Sequence, residues 1–101
     1  MGKKCMTRKE ITHFLQTHKK EMARRFGIQS IGLFGSYARD EAREDSDIDI
    51  VVMLNSEHLA DDYFGVLHYL EDHLQHKIDL GLESNLRPEI RNRIKEEIIY
   101  V

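Results

Sequence analysis

The chain has 101 residues, 41% of them apolar and 33% charged, with a formal net charge of −3. That length leaves room for one domain, 1–101, with one core, and the composition is that of a soluble globular chain rather than a disordered one. The small negative charge gives no general drive toward nucleic acid, and the longest apolar run, Ile48 to Leu54, is interrupted by Asp49 and too short to cross a bilayer.

The elements follow in order. No apolar stretch follows Lys3-Lys4, so no signal peptide is expected, and the lone Cys5, in a basic tail, cannot close an internal disulfide. The chain reads as cytoplasmic. Thr7-Arg8-Lys9-Glu10 has the form of a capping box. Ile11, Phe14, Leu15, His18, Met22 and Phe26 then keep helical spacing, and Gly27 is a natural stop. Lysines and arginines gather between Lys3 and Arg25, with Phe14 of the apolar stripe as the one aromatic among them. They read as a solvated helix face, so direct nucleic-acid binding is not expected.

Residues 28–34 predict a first strand, 35–45 a loop with a short helix, and 46–54 a second strand. Asn55-Ser56 breaks that strand and is placed to cap a helix whose buried face carries Leu59, Tyr63, Val66, Leu67, Leu70 and Leu74. Lys77 to Leu80 predicts a third, shorter strand ended by Gly81. A last helix is expected from near Pro88, with Leu86, Ile90, Ile94 and Ile98 inward and Glu89–Arg93 and Arg93–Glu97 pairs one turn apart. The order α-β-α-β-α-β-α implies an α/β (α+β) fold, a small mixed sheet of three to four strands flanked by helices.

The chemistry concentrates between Gly35 and Asp49. Gly35 permits close backbone approach, Ser36 offers a hydroxyl, and a helix starting near Tyr37 aims free N–H groups at an anion. Side chains alternate along a strand, so Asp47 and Asp49 share one face while Ile48 and Ile50 share the other. Packing asks for no such pair of like charges, whereas a hard divalent cation beside nucleotide phosphates does. In Lys77-Ile78-Asp79-Leu80 the same alternation turns Asp79 away from Ile78 and Leu80, so it can join the first two carboxylates. Arg39 and Arg43 are candidates to hold phosphates or to neutralise the carboxylates; surface pairing with Glu41 and Glu44 explains them equally well. His73 and His76, one turn apart on the expected helix, lack further ligands for zinc. Ser36 has no evident base partner to make it a nucleophile.

Gly35-Ser36, ten residues, then Asp47-x-Asp49 resembles the signature of the polymerase-β-like nucleotidyltransferases. The chain is most similar to the small stand-alone minimal nucleotidyltransferases of the MntA type, antitoxins that accompany HEPN-domain toxins. That resemblance implies a polymerase-β-like fold and Asp47, Asp49 and Asp79 as catalytic metal ligands. Three such carboxylates can hold two Mg²⁺ ions roughly 4 Å apart. It implies Gly35 and Ser36 at the nucleotide and AMP transfer from ATP, with release of pyrophosphate, to a tyrosine hydroxyl of a HEPN-type toxin. Small members of the family often carry glycine where Asp40 stands, and aspartate suits the first turn of a helix. Two other functions fit the residues: a binding module that neutralises its partner by occlusion, and a nucleotidyltransferase acting on RNA ends or a small molecule.

Overall fold

The computed structural model describes residues 6–101; Lys3, Lys4 and Cys5 lie outside the described residues. The first helix, α1 (Arg8–Phe26), begins with the capping box in place: Thr7 Oγ1 accepts from the Glu10 N–H, and Glu10 Oε1 accepts from the Thr7 N–H. Such a cap contributes about 1 kcal/mol. Gly27, at φ 75°, ends the helix in the left-handed conformation, its N–H donating to the Ala23 carbonyl. Ile11, Leu15 and Met22 are the buried stripe of α1, with Phe14 and Phe26 packed against its edges.

Strand β1 (Ile28–Phe34) leads straight into a one-turn helix, α2 (Gly35–Ala38), and an irregular segment returns the chain to β2 (Ile48–Leu54). A long helix, α3 (Leu59–Leu74), crosses to β3 (Ile78–Leu82), which lies parallel to β2. Parallel neighbours require a crossover of this length, whereas the antiparallel β1–β2 pair does not. A short 3₁₀ turn (83–85) and α4 (Pro88–Lys95) follow, with proline at the start of the helix, and β4 (Ile99–Tyr100) closes the order β3-β2-β1-β4.

Ile31, Leu33, Ile48, Ile50 and Val52 point to the face covered by α1 and α3, where the core lies. Each such side chain, fully buried, contributes on the order of 1.5–3 kcal/mol. Alternation leaves Gly32, Asp49 and Val51 on the opposite face, where Ile94 and Ile98 lie beside Val51.

Four local expectations are corrected. Ser56 is not the helix cap: His58 holds that position, and the Ser56 hydroxyl accepts from the His58 N–H and donates to the Asp62 carboxylate in the first turn of α3, which starts at Leu59. Gly81 continues β3 rather than ending it. The left-handed Gln75 ends α3, so His76 is not on the helix with His73. Most consequential, α4 stops at Lys95, with Glu97 and Ile98 beyond it, and the final residues form β4. The Arg93–Glu97 helical pair therefore does not exist, and Ile90, expected inward, is 43% exposed.

No helix among the described residues is long and apolar enough to cross a membrane.

Candidate active site

The turn from β1 into α2 is built around Gly35, at φ +76°. A Cβ there would come within 2.8 Å of the Asp49 carboxyl carbon and 3.0 Å of the Asp49 Cβ. The Asp49 side chain thus lies flat against the bare Cα of Gly35, and no other residue leaves that space. The space that Gly35 leaves is taken up by the Asp49 side chain.

Asp49 sits between two strands. It is opposite Phe34, the last residue of β1, on one side and opposite Asp79 on the other. Asp49 is half-buried and Asp79 is exposed on the edge strand. Burial pushes the Asp49 carboxyl up to about 6 from 3.8, helped by the charge of Asp79, hydrogen bonding to it, and the charge of Asp47. The charge of Arg39 works in the other direction. Asp47 lies one residue ahead of β2 and is half-buried. The three aspartates named from the sequence are therefore brought to one end of the sheet, close enough for the charges of Asp79 and Asp47 to raise the proton affinity of Asp49.

Among the described residues no three His, Cys, Asp or Glu side chains are arranged closely enough to hold a metal ion between them. The donor chemistry nevertheless fits a hard divalent cation. The cluster is made of carboxylates alone, and the burial and neighbouring negative charge that raise Asp49 are only partly offset by Arg39, an environment a bound cation would reverse.

Of the two candidate arginines, the structure brings only Arg39 to the carboxylates. Its Nε donates to Glu41 Oε1 at 2.8 Å and its Nη1 to Glu97 Oε2 at 2.9 Å. Both the functional and the surface-pairing readings of Arg39 thus find a partner, but Glu44 is not among those partners. Arg43 is exposed, its N–H donates to Ser46 Oγ, and among the described residues its guanidinium makes no hydrogen bond or ion pair. Ser36 is half-buried beside Gly35, and its carbonyl accepts from the Glu41 N–H at 2.8 Å, tying the loop back onto α2.

Glu97 is the residue that sequence reasoning missed. Its Oε1 accepts from the Gly35 N–H at 3.3 Å, so one carboxylate joins the glycine turn to Arg39. Its position follows from β4. Leu33 pairs with Ile99 and Gly32 with Tyr100, which holds the chain end beside β1, and the turn between α4 and β4 then brings Glu97 to Gly35. A two-residue strand beside an extended helical pattern carries almost no sequence signal, which is why Glu97 was assigned to α4.

Asp40 is also corrected. It is not in a helical first turn but follows α2 at φ 62°, a left-handed conformation that glycine adopts without penalty. His76 Nε2 lies 2.6 Å from the Ser46 carbonyl and 3.4 Å from the Tyr37 hydroxyl, bracing the segment that delivers Asp47. His73 instead stacks on Tyr69, so the two histidines share no site. A cleft of about 580 Å³, lined by Leu59, Tyr63, Phe64 and Leu80 among others, has a mainly apolar wall. It lies on the helix-covered face, away from the carboxylates.

The family model described as the nucleotidyltransferase domain matches residues 15–101. A protein adenylyltransferase MntA of Thermococcus cleftensis is 41% identical over 96 residues, covering 95% of this chain and 97% of its own. A solved structure provisionally described as a minimal nucleotidyltransferase superposes with a TM-score of 0.81 at 29% identity, covering 96% of this chain and 98% of its own. A structure of tri-AMPylated Shewanella oneidensis HEPN toxin in complex with MNT antitoxin matches with a TM-score of 0.61, covering 87% of this chain and 69% of the matched one. At 19% identity that last likeness concerns the fold alone.

Proposed function

Since the chain belongs to the nucleotidyltransferase domain family, we propose that it transfers AMP from ATP to a tyrosine hydroxyl of a HEPN-domain toxin and acts as that toxin's antitoxin. The observation that carries this reading is the pairing of Asp49 with Asp79 beside the Gly35 turn. It sets carboxylates beside the glycine turn at one sheet end. The name of the Thermococcus relative supports protein as the acceptor, and the toxin–antitoxin complex of the same fold supports a HEPN partner.

Asp47, Asp49 and Asp79 would hold Mg²⁺, two ions on this reading. When bound, Mg²⁺ neutralises the triphosphate and polarises the phosphorus–oxygen bonds. The chain's own groups do the rest. Gly35 makes room for the Asp49 carboxyl and offers its backbone N–H to phosphate oxygens, and Ser36 offers its hydroxyl to them. Arg39, charged at every relevant pH, adds a forked donor for phosphate oxygens. Asp79, on the exposed edge strand, accepts the proton of the incoming hydroxyl. The hydroxyl oxygen forms a bond to the α-phosphorus, the bond from that phosphorus to the bridging oxygen breaks, and pyrophosphate leaves with the electron pair. Arg43 is left out of the nucleotide site.

The test is mass spectrometry of the co-expressed partner toxin. An added 329 Da per modified tyrosine (roughly, one AMP less water) with the native chain, absent with Asp49→Asn, is the expected result. A partner that stays unmodified while bound in a stoichiometric complex with ATP present would sink the transferase reading in favour of occlusion.

A further inference from the structure

Glu97 presents its carboxylate to two donors at once, the Gly35 N–H at 3.3 Å and Arg39 Nη1 at 2.9 Å. Under the proposed function, these same donors serve nucleotide phosphate. We propose that Glu97 is an internal stand-in for phosphate, seated in the nucleotide site of the free protein and displaced when a nucleotide binds. The inference rests on that reading of the Gly35–Arg39 cradle and adds its regulation.

A carboxylate and a phosphate make the same demand on a site, because both accept hydrogen bonds and both carry negative charge. They cannot share one N–H and one guanidinium arm without placing two anions in contact. One must leave. The side chain of Glu97 is 24% exposed and so has a route to solvent without unfolding its surroundings. Arg39 is 47% exposed and keeps Glu41 on its Nε, so it loses only one of its two anchors when Glu97 swings out. The freed Nη1 arm then faces the vacated turn.

The placement of Glu97 is a product of the fold rather than of an accidental rotamer. The pairings of Leu33 with Ile99 and Gly32 with Tyr100 hold β4 beside the end of β1, and the turn after α4 brings Glu97 to Gly35. The Glu97 N–H also donates to the Ile94 carbonyl at 3.0 Å, which fixes the backbone from which the side chain reaches. The backbone can therefore stay in place while the side chain alone exchanges. The consequence is a threshold for binding. A nucleotide must supply enough phosphate charge to replace an intramolecular anion that is already present at high effective concentration. Triphosphates meet it more readily than monophosphates.

The test measures affinity for Mg²⁺ with a non-hydrolysable ATP analogue on the full chain, comparing the native protein with Glu97→Gln, Glu97→Asp and Glu96→Gln. Glu97→Gln removes the competing charge. Glu97→Asp keeps the charge but shortens the reach by one methylene, so it separates displacement from simple electrostatics. Both are expected to bind the analogue about tenfold tighter, the scale of one charged hydrogen bond relieved. Glu96→Gln, at an exposed neighbouring position, is expected to bind as the native chain does. The Gly35 amide resonance of the native protein should also shift on adding the analogue with Mg²⁺, and shift without any addition in Glu97→Gln. Equal or weaker binding by both Glu97 variants overturns the stand-in and makes Glu97 a positioning residue for Arg39, with the nucleotide site intact. Absence of analogue binding by the native chain and every variant overturns the nucleotide site together with the stand-in.

Discussion

Asp49 of β2 and Asp79 of β3 face each other residue for residue across a parallel strand pair, and the half-buried Asp49 is pushed up to about 6 as a result of burial and of that neighbour. Two carboxylates at matched positions of adjacent strands are costly to a metal-free fold. That cost is measurable.

Asp49 is the group whose titration links pH to stability. Its folded value near 6 lies above its ordinary 3.8, so the folded protein holds its proton more tightly than the unfolded chain does. The uncharged carboxyl carries no penalty below about pH 4, and the penalty grows as pH rises, reaching its full size above about pH 6. Solvent screening at a half-exposed group reduces the penalty to about 1 kcal/mol. In chelator, Asp49→Asn should melt with the native chain at pH 4 and about 4–8 °C above it at pH 8. A variant less stable than the native chain at pH 8 would contradict this account.

Neutralising both early carboxylates, Asp47→Asn with Asp49→Asn, should abolish nucleotide transfer by at least ~100-fold. Partner binding should persist, because the change is confined to one end of the sheet. Labelled-ATP incorporation and a pull-down on the same samples decide it. Normal transfer by the double variant removes these residues from catalysis. Lost transfer with full neutralisation of the toxin in cells favours occlusion.

Metal and nucleotide should bind together. The aspartates offer an incomplete shell on their own, so Mg²⁺ alone should bind weakly and the ATP analogue should bind tightly only with Mg²⁺. Calorimetry in each order of addition measures this. Tight analogue binding that persists in chelator counts against carboxylate-held metal.

Gly35→Ala should cost more than an ordinary surface change. The left-handed φ costs about 1–2 kcal/mol in itself, and the new methyl must displace the Asp49 carboxyl. A loss of about 2–4 kcal/mol in denaturant titration is expected. A loss below about 0.5 kcal/mol would mean the turn relaxes freely.

Asp40 tests the left-handed position from the other direction. Asp40→Gly should leave stability level or raise it by up to about 1 kcal/mol, while Asp40→Ala should lower it by about 1 kcal/mol. Thermal melts of the pair give opposite signs if the backbone keeps its conformation. Matching signs would mean that residue 40 is not held at positive φ in solution.

Much of this protein is determined locally and can be read from sequence alone. The Thr7–Glu10 cap and the Gly27 stop depend on neighbours within one helical turn, and both appear where the residues demand. From Ile31 onward in β1, past the irregularity between Ile28 and Ser30, and along β2 the faces follow from side-chain alternation. Alternation by itself therefore assigns Asp49 to the face away from Ile48 and Ile50, and the glycine at position 35 marks the turn beside it.

Tertiary structure alone decided the rest, because it depends on which distant segments pair. The parallel register that sets Asp79 against Asp49 is a relation between strands separated by all of α3. The choice of Arg39 over Arg43 depends on how the loop after α2 folds back, which two similar arginines on an exposed segment do not encode. Glu97 is the sharpest case. Its helical spacing favoured α4, but two backbone pairings to β1 outweighed that local pattern, pulled the chain into β4 and brought its carboxylate to Gly35. Periodicity reports which face of an element is apolar; it holds no information on what that element's end will meet.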